Sequence, residues 1–433
     1  MNQSALNTEI DDAVLAFYQQ VNTDHVWLGF SGGLDSTVLL HALVKQCPAT
    51  IHLSALHVHH GLQDCADDWV QHCQEVCASL NVELVVRYIN VDNRDNIESA
   101  ARNERYQVFS DCVADHEVLC LAHHQRDQAE TFVLNLMRGA GVAGLSAMPQ
   151  KRVLSSNHQA WLWRPLLDVA YNRLHEYALQ NNLVWVEDVT NQDTRLRRNF
   201  IRHQLLPVLQ QHWPASNHKI AQASDHLAEA AVLLADLAQQ DLADIPHNKY
   251  KLDWQALQEF SFIRQKNILQ YWFQLNHQLR IDAATLDWLE SVCFQAPAGA
   301  EPKRKLSVGE IRRYQQFMFY VVENEQPFSF ENLGFSELEE SRFRLQLTRG
   351  EGVAQKWFQS PHSARVRCLQ PTDKVNRDSL KKWFQTQHIP PWQRKLWPVL
   401  VVDDQLAAIA NYRVMSGFEA EINENALKLV GLN

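Results

Sequence analysis

No apolar run in the 433 residues approaches the ~18 needed to cross a bilayer, so no membrane partner is expected. The first twenty residues carry acids and no basic n-region, so no secretory leader is expected either. Eight cysteines in so long a chain are too sparse for a disulfide scaffold, and they include no C-x-x-C pair. Cys73 and Cys77 stand at helical spacing, and buried reduced thiols in a cytoplasmic protein are the expectation, zinc being the minor alternative. Positive charge is also scarce: 40 lysines and arginines face 50 acids, a formal net charge of −10. Taken alone, that speaks against a nucleic-acid partner. Exposed charges are screened beyond ~8 Å at physiological salt, however, so local patches decide. Arg195, Arg197, Arg198 and Arg202 form one. Lys303, Arg304 and Lys305 with Arg312 and Arg313 form a second. Lys381, Lys382, Arg394 and Lys395 form a third, interleaved with Trp383, Phe384, Trp392 and Trp397. Each by itself reads as a solvated face; three in an acidic chain tilt toward an anionic polymer.

What is present is a chain too long for one core, with an apolar content of 46% that suits well-packed domains. After an amphipathic opening helix (Ile10, Val14, Tyr18, Val21), strand and helix patterns alternate. The strand candidates are 25–30, 51–58, 83–89, 117–122 and 183–187. Helices are expected from Ser36, over 67–80, 98–115 and 127–137, and over 172–180. This alternation predicts an α/β fold with a doubly wound parallel sheet, its ligands at the strands' carboxyl ends. The pattern stops near Trp213-Pro214. A long helix over 220–245, with Ile220, Leu227 and Leu234 on one packing stripe, leads into a mainly helical middle region. An acidic linker over 323–340 then precedes a small α+β domain with a basic helix near 380–386 and a hairpin turning at Asp403-Asp404. The expected domains are 1–214, 215–325 and 341–433. No internal repeat or low-complexity tract is visible.

The most informative stretch is Ser31-Gly32-Gly33-Leu34-Asp35-Ser36, between the apolar strand 26–30 and an apolar helix. Unpaired N–H groups and two hydroxyls at a helix N-terminus suit a polyphosphate, and the glycines let the backbone approach it. No lysine is present, so this is not the G-x-x-x-x-G-K-[ST] loop. It resembles the pyrophosphate loop of ATP pyrophosphatases, which cleave ATP between the α and β phosphates. Three histidines, His57, His59 and His60, end the second strand. Neighbouring strand residues face opposite ways, so nucleotide packing or backbone hydrogen bonding by His57 is favoured over a metal cluster. His124, Asp127 and Glu130 stand three apart at another strand end. Three-residue steps of ~300° put Asp127 near both neighbours while His124 and Glu130 diverge by about 120°. Helix capping explains the acids alone; beside a phosphate loop the set also suits Mg²⁺ or a cationic substrate, and that reading is preferred. Gly139, Gly141 and Gly144 spell a formal G-x-G-x-x-G, but after a helix, so it reads as a turn. Glu187-Asp188 followed by Arg197, Arg198 and Arg202 reads either as surface ion pairs or as a face toward polyphosphate or RNA.

Together these segments resemble the tRNA(Ile)-lysidine synthetases. The matching pieces are Ser31 to Ser36, His57 to Leu62, Glu98 to Tyr106 and His124-x-x-Asp127-x-x-Glu130-Thr131. Arg138 to Leu145, Arg164-Pro165-Leu166-Leu167, Glu187 to Asn191 and Arg198 to Arg202 complete the set. The match is dense over the first half of the chain and looser in Leu380 to Trp383 and Ile389 to Trp392. The resemblance implies an adenine nucleotide α-hydrolase-like sheet. The implied reaction joins the ε-amine of free L-lysine to C2 of the wobble cytidine of a CAU-anticodon tRNA(Ile), through an adenylated tRNA. ATP and Mg²⁺ are the implied cofactors, and a homodimer is one assembly open to the chain. Ser31, Gly32, Gly33, Leu34, Asp35, Ser36 and His57 are then expected at the nucleotide, Asp35 also at the metal. His124, Asp127 and Glu130 line the site, with the two acids as candidates for the lysine ammonium. Arg102, Arg105, Arg198 and Arg202 are candidates for neutralising the adenylate.

Two other readings compete. A tRNA 2-thiolase with a similar loop needs reactive cysteines, and the missing C-x-x-C opposes it. A nucleotide-binding sensor without catalysis has no need of the His124, Asp127 and Glu130 set.

Overall fold

The computed structural model describes residues 6–59, 61, 66–89, 97–155, 158–297, 299–322, 327–340 and 343–431. The chain divides into two compact units, Met1–Leu233 and Leu234–Asn433.

The first unit runs α1 (Leu6–Gln20), β1 (His25–Gly29), α2 (Leu34–Gln46), β2 (His52–His59), α3 (Ala66–Ser79), β3 (Glu83–Tyr88), α4 (Ile97–Cys112) and β4 (Val118–Cys120). It continues through α5 (Gln125–Met137), α6 (Val142–Leu145), the hairpin β5 (Lys151–Ser155) and β6 (His158–Trp163), and α7 (Tyr171–Gln180). The strands form one sheet in the order β3-β2-β1-β4-β6-β5, parallel except for the β5–β6 pair. β2 is buried along six successive residues, as a strand covered on both faces must be. On one face Leu28, Leu39, Leu40, Phe17 and Tyr177 pack together; on the other, Leu56, Phe109, Leu119 and Leu162 do.

Strand order reverses at β1, which pairs with β2 on one side and β4 on the other. The loops after β1 and β4 therefore open into a shared crevice, the usual ligand position in such sheets.

One expected strand is absent. Residues 183–187 hold no ladder; Val186 N–H donates a single bond to Gly32 O at 3.0 Å. The sheet position is taken by β6, which pairs parallel with β4. Leu183 and Trp185 instead pack on the core from outside the sheet.

The helical connection 189–212 consists of a 3₁₀ turn, α8 (Arg197–Phe200), a π-helical turn (Ile201–Leu205) and α9 (Leu206–His212). α10 (Ser216–Ala243) follows. Its expected stripe is only partly used. Ile220 packs beside Ala129 and Val133, whereas Leu234 is exposed, and the small residues Ala221 and Ser224 are buried instead.

In the second unit, β7 (Lys251–Asp253), α11 (Trp254–Leu257), α12 (Phe262–His277), α13 (Ala283–Trp288), β8 (Lys303–Lys305), β9 (Glu310–Tyr314) and β10 (Phe317–Val321) enclose Ile268, Trp272, Phe273 and Met318. The stretch read as an acidic linker contributes β11 (Ser329–Phe330) and β12 (Leu338–Glu339). Phe328, Phe330, Phe335 and Leu338 anchor it to the C-terminal core, which the intervening acids disguise in sequence.

Two sheets build that core. β11 pairs with β15 (Ala364–Cys368), followed across the sheet by β16 (Pro398–Val402), β17 (Gln405–Ile409) and β18 (Arg413–Val414). β12, β13 (Phe343–Arg349), β19 (Asn425–Gly431) and β14 (Val353–Ala354) form the second. The expected basic helix is α14 (Arg377–Thr386), with the short α15 (Pro391–Arg394) after it. Asp403 and Asp404 both take positive φ at the β16–β17 turn, the backbone of a two-residue hairpin loop. Among the described residues no helix is long and apolar enough to cross a membrane.

Candidate active site

The loop between β1 and α2 is shaped by its glycines and hydroxyls. Gly32 has φ +80°, and a Cβ there would lie 2.9 Å from Cys73 Sγ, so only glycine fits without strain. Ser36 Oγ donates to Gly33 O at 3.0 Å and lies 3.1 Å from Ser31 Oγ. Thr37 Oγ1 also donates to Gly33 O, at 3.0 Å. Gly33 caps α2 without a side chain, so the N–H groups of Leu34, Asp35 and Ser36 begin the helix with no intrahelical carbonyl to meet. His57 supports the loop from behind: Nδ1–H donates to Phe30 O at 2.9 Å, and burial lowers the pKa of the ring. His60 and Leu62 lie outside the described residues.

The loop after β4 meets this one. His124 begins α5 and is fully buried. Its Nδ1 accepts from Arg126 N–H at 3.2 Å, and Asp127 Oδ2 accepts from His124 N–H at 3.1 Å. Nε2 is thereby turned toward two carboxylates, 3.5 Å from Asp35 Oδ2 and 3.4 Å from Asp127 Oδ2. Burial alone would lower the His124 pKa; Asp127 and Asp35 outweigh it and raise it.

Glu130, one turn farther on, is also fully buried. Its carboxylate accepts from Arg198 Nε at 2.7 Å and from Arg202 Nε at 2.6 Å. Asp127 Oδ1 takes the remaining arms, Arg198 Nη2 at 3.0 Å and Arg202 Nη2 at 3.1 Å. Burial would push the Asp127 carboxyl up, but His124, Arg198, His123 and Arg202 hold it well below the ordinary range. Residues 198 and 202 are four apart, so both guanidiniums project from one helical face onto α5. Asn199, between them, donates to the carbonyls of Thr190 and Asp193, tying the 188–193 loop to the same helix.

Three family descriptions match the chain: a PP-loop domain over residues 6–209, a TilS substrate binding domain over 252–318 and a TilS substrate C-terminal domain over 363–430. A tRNA(Ile)-lysidine synthase of Hydrogenovibrio crunogenus is 36% identical over 401 residues, covering 90% of this chain and 94% of its own. One from Coxiella burnetii is 36% identical over 411 residues, covering 92% and 91%. One from Legionella pneumophila is 34% identical over 404, covering 90% and 92%. The chain belongs to the tRNA(Ile)-lysidine synthase family.

Within that family frame, the structure assembles most of the expected residues. Ser31 to Ser36, Asp35, His124, Asp127, Glu130, Arg198 and Arg202 form one connected set, with His57 directly behind it. Asp127 both caps α5 and binds arginine, so capping and site-lining coexist in one side chain. Arg102 and Arg105 lie on α4 around Tyr106, with Arg105 within electrostatic reach of Arg198. The G-x-G-x-x-G stretch is a turn between α5 and α6, held by Asn135 Nδ2 donating to Gly144 O at 2.8 Å.

Three residues at the site escape the sequence reading of roles. Tyr171 packs on His124, ring centroids 5.3 Å apart, and carries the Arg126 guanidinium 3.6 Å over its ring. His123 accepts from Arg164 Nε at 3.1 Å through Nδ1. Arg164 directly follows β6, and recognising that strand would have placed it at a carboxyl end, where ligands gather.

Proposed function

We propose that this chain ligates lysine to C2 of the wobble cytidine in a CAU-anticodon tRNA at the expense of ATP. The observation that carries the reading is the junction of the phosphate-type loop with a buried acid–arginine set, at Asp35 and His124. The cytosine C2 oxygen is a poor leaving group. It attacks the α-phosphorus of ATP, the bond to the β-phosphate oxygen breaks, and pyrophosphate departs. The ε-amine of lysine then forms the C2–N bond while the C2–O bond breaks, releasing AMP. The ammonium must lose a proton before this step, since only the neutral amine is nucleophilic.

The Ser31 to Ser36 loop holds the departing pyrophosphate through its hydroxyls and the first N–H groups of α2. Asp35 Oδ1 is buried and meets no hydrogen-bond partner, which fits a hard cation completed by phosphate oxygens. Mg²⁺ held there would offset phosphate charge. Among the described residues no cluster of three or more acids, histidines or cysteines could hold a metal by itself.

Asp127 and Glu130 receive the lysine ammonium in place of one guanidinium. Exchanging cation for cation keeps the buried acids neutralised, and it frees Arg198 or Arg202 for the adenylate phosphate. We place this reaction in the cytoplasm, where ATP and free lysine meet unmodified tRNA.

The test is incubation with ATP, Mg²⁺, labelled lysine and unmodified CAU-anticodon transcript. Label should enter RNA only when all four are present. Label entering RNA without ATP would refute the ligase.

A further inference from the structure

A second basic group lies beside the site. Arg102, Arg105 and Tyr106 come from α4, Arg152 from β5, and Arg164 from the end of β6. Two guanidiniums approach the Tyr106 ring, Arg102 Cζ at 5.1 Å and Arg152 Cζ at 5.2 Å from its centroid. Arg164 is buried, its Nη1 on Pro149 O at 2.6 Å and its Nε on His123. Arg152 donates to the Val153 carbonyl, at 3.0 Å.

Among the described residues no carboxylate pairs with any of these four arginines, whereas Arg198 and Arg202 are saturated by acids. The phenol oxygen of Tyr106 is buried and lacks a hydrogen-bond partner of good geometry. Burial would raise this phenol's pKa, yet Arg102, Arg164 and Arg152 pull it below the ordinary value. Arg105 is lowered by burial and further by Arg102 and Arg198. A half-buried group of guanidiniums with no paired carboxylate among the described residues suits an anion that completes it.

We propose that Arg102, Arg105, Arg152 and Arg164, set around Tyr106, form a subsite for backbone phosphodiesters of the RNA next to the reacting nucleotide. The inference rests on the RNA-modifying reading above. The pyrophosphate of ATP already has the Ser31 to Ser36 loop. A single lysine carboxylate would neutralise one guanidinium of four, whereas consecutive phosphates neutralise several. The group also grades from exposed Arg102 to buried Arg164, whose partner His123 adjoins His124. A strand entering along this gradient would keep its phosphates on the arginines while one base turns toward Asp35 and His124.

The experiment uses the full chain and its Arg152→Gln and Arg152→Lys variants, Arg152 lying outside the acid–arginine set. Affinity for the CAU-anticodon transcript is measured across a salt series without ATP or lysine. KM values for ATP and lysine are measured in parallel. The expected result for Arg152→Gln is a salt dependence shallower by about 0.7 for each single-strand phosphate left without its cation, with both KM values unchanged. Arg152→Lys keeps the original slope, which separates missing charge from misfolding. An unchanged slope in Arg152→Gln overturns the proposal. If the KM for lysine rises instead, the anion is a carboxylate and the proposal fails; if that for ATP rises, it is a nucleotide phosphate and the proposal fails likewise. A parent chain that binds no transcript at all would defeat the RNA reading itself, an outcome distinct from these.

Discussion

Asp35 and His124, contributed by the loops after β1 and β4, approach to 3.5 Å between Oδ2 and Nε2 where the strand order reverses. The phosphate-binding side of the site and its acid–arginine side meet through this pair. Replacing Asp35 by alanine should therefore separate chemistry from RNA recognition. We expect formation of AMP to fall at least about a hundredfold, the order seen on removing one electrostatic stabiliser. The transcript's dissociation constant should stay within about twofold, since no basic patch is touched. Quantifying AMP release and filter retention on the same preparation checks both. Abolished retention with normal AMP release would reverse the assignment.

Glu130 should be dominated by structure as much as by chemistry. It is fully buried between two guanidiniums, so Glu130→Leu leaves both without their main acceptor. A cost of about 3–5 kcal/mol in folding is expected. Adding Arg202→Leu should recover part of it, because one uncompensated charge is then gone. Denaturant titration of the two variants tests this, and additive losses would show that the pairing is not coupled.

Gly32→Ala combines a φ of +80° with a Cβ 2.9 Å from Cys73 Sγ. It should weaken ATP binding at least about tenfold and destabilise the first unit by about 1–3 kcal/mol. Cys73→Ala in the same chain relieves the steric clash but not the backbone strain. ATP affinity should recover only in part; full recovery would show that the positive φ is unimportant.

His123 predicts an acid sensitivity. Burial is the main cause lowering its pKa, to about 3, against an ordinary value of 6.5. Between these values the unfolded chain takes up a proton that the folded one refuses. The stabilising contribution is thus complete above pH 6.5 and is lost as pH falls toward 3. One such group contributes a slope of at most about 1.4 kcal/mol per pH unit. His123→Gln, which can still accept from Arg164 Nε, should flatten the dependence of stability on pH in this window. An identical slope in the variant would assign the effect to other groups.

The fold and site are legible in the sequence where local chemistry fixes them. Ser31 to Ser36 combines turn-forming glycines with capping hydroxyls, and the alternation from β1 to α5 shows one period after another. β5 and β6 are harder to read. They form a hairpin at the sheet edge, with Trp161 exposed between buried Ala160 and Leu162, and the turn residues fall amid polar sequence. Without that strand pair, residues 183–187 pass for the last strand and Arg164 has no assigned position. The bonds from Arg198 and Arg202 to Glu130 span 68 and 72 residues, and no local pattern encodes such a distance. Sequence proximity to Glu187-Asp188 brings these arginines near the site but does not set them on the acids of α5.

On this mechanism ATP activates the cytidine and not lysine. Incubating the chain with ATP labelled at the α-phosphate and the CAU-anticodon transcript, with lysine withheld, tests this most directly. Label should appear on the RNA and leave as AMP when unlabelled lysine is added, and the Asp35→Ala chain should show neither event. Label that stays off the RNA until lysine is present and then appears as a lysine adenylate would contradict it.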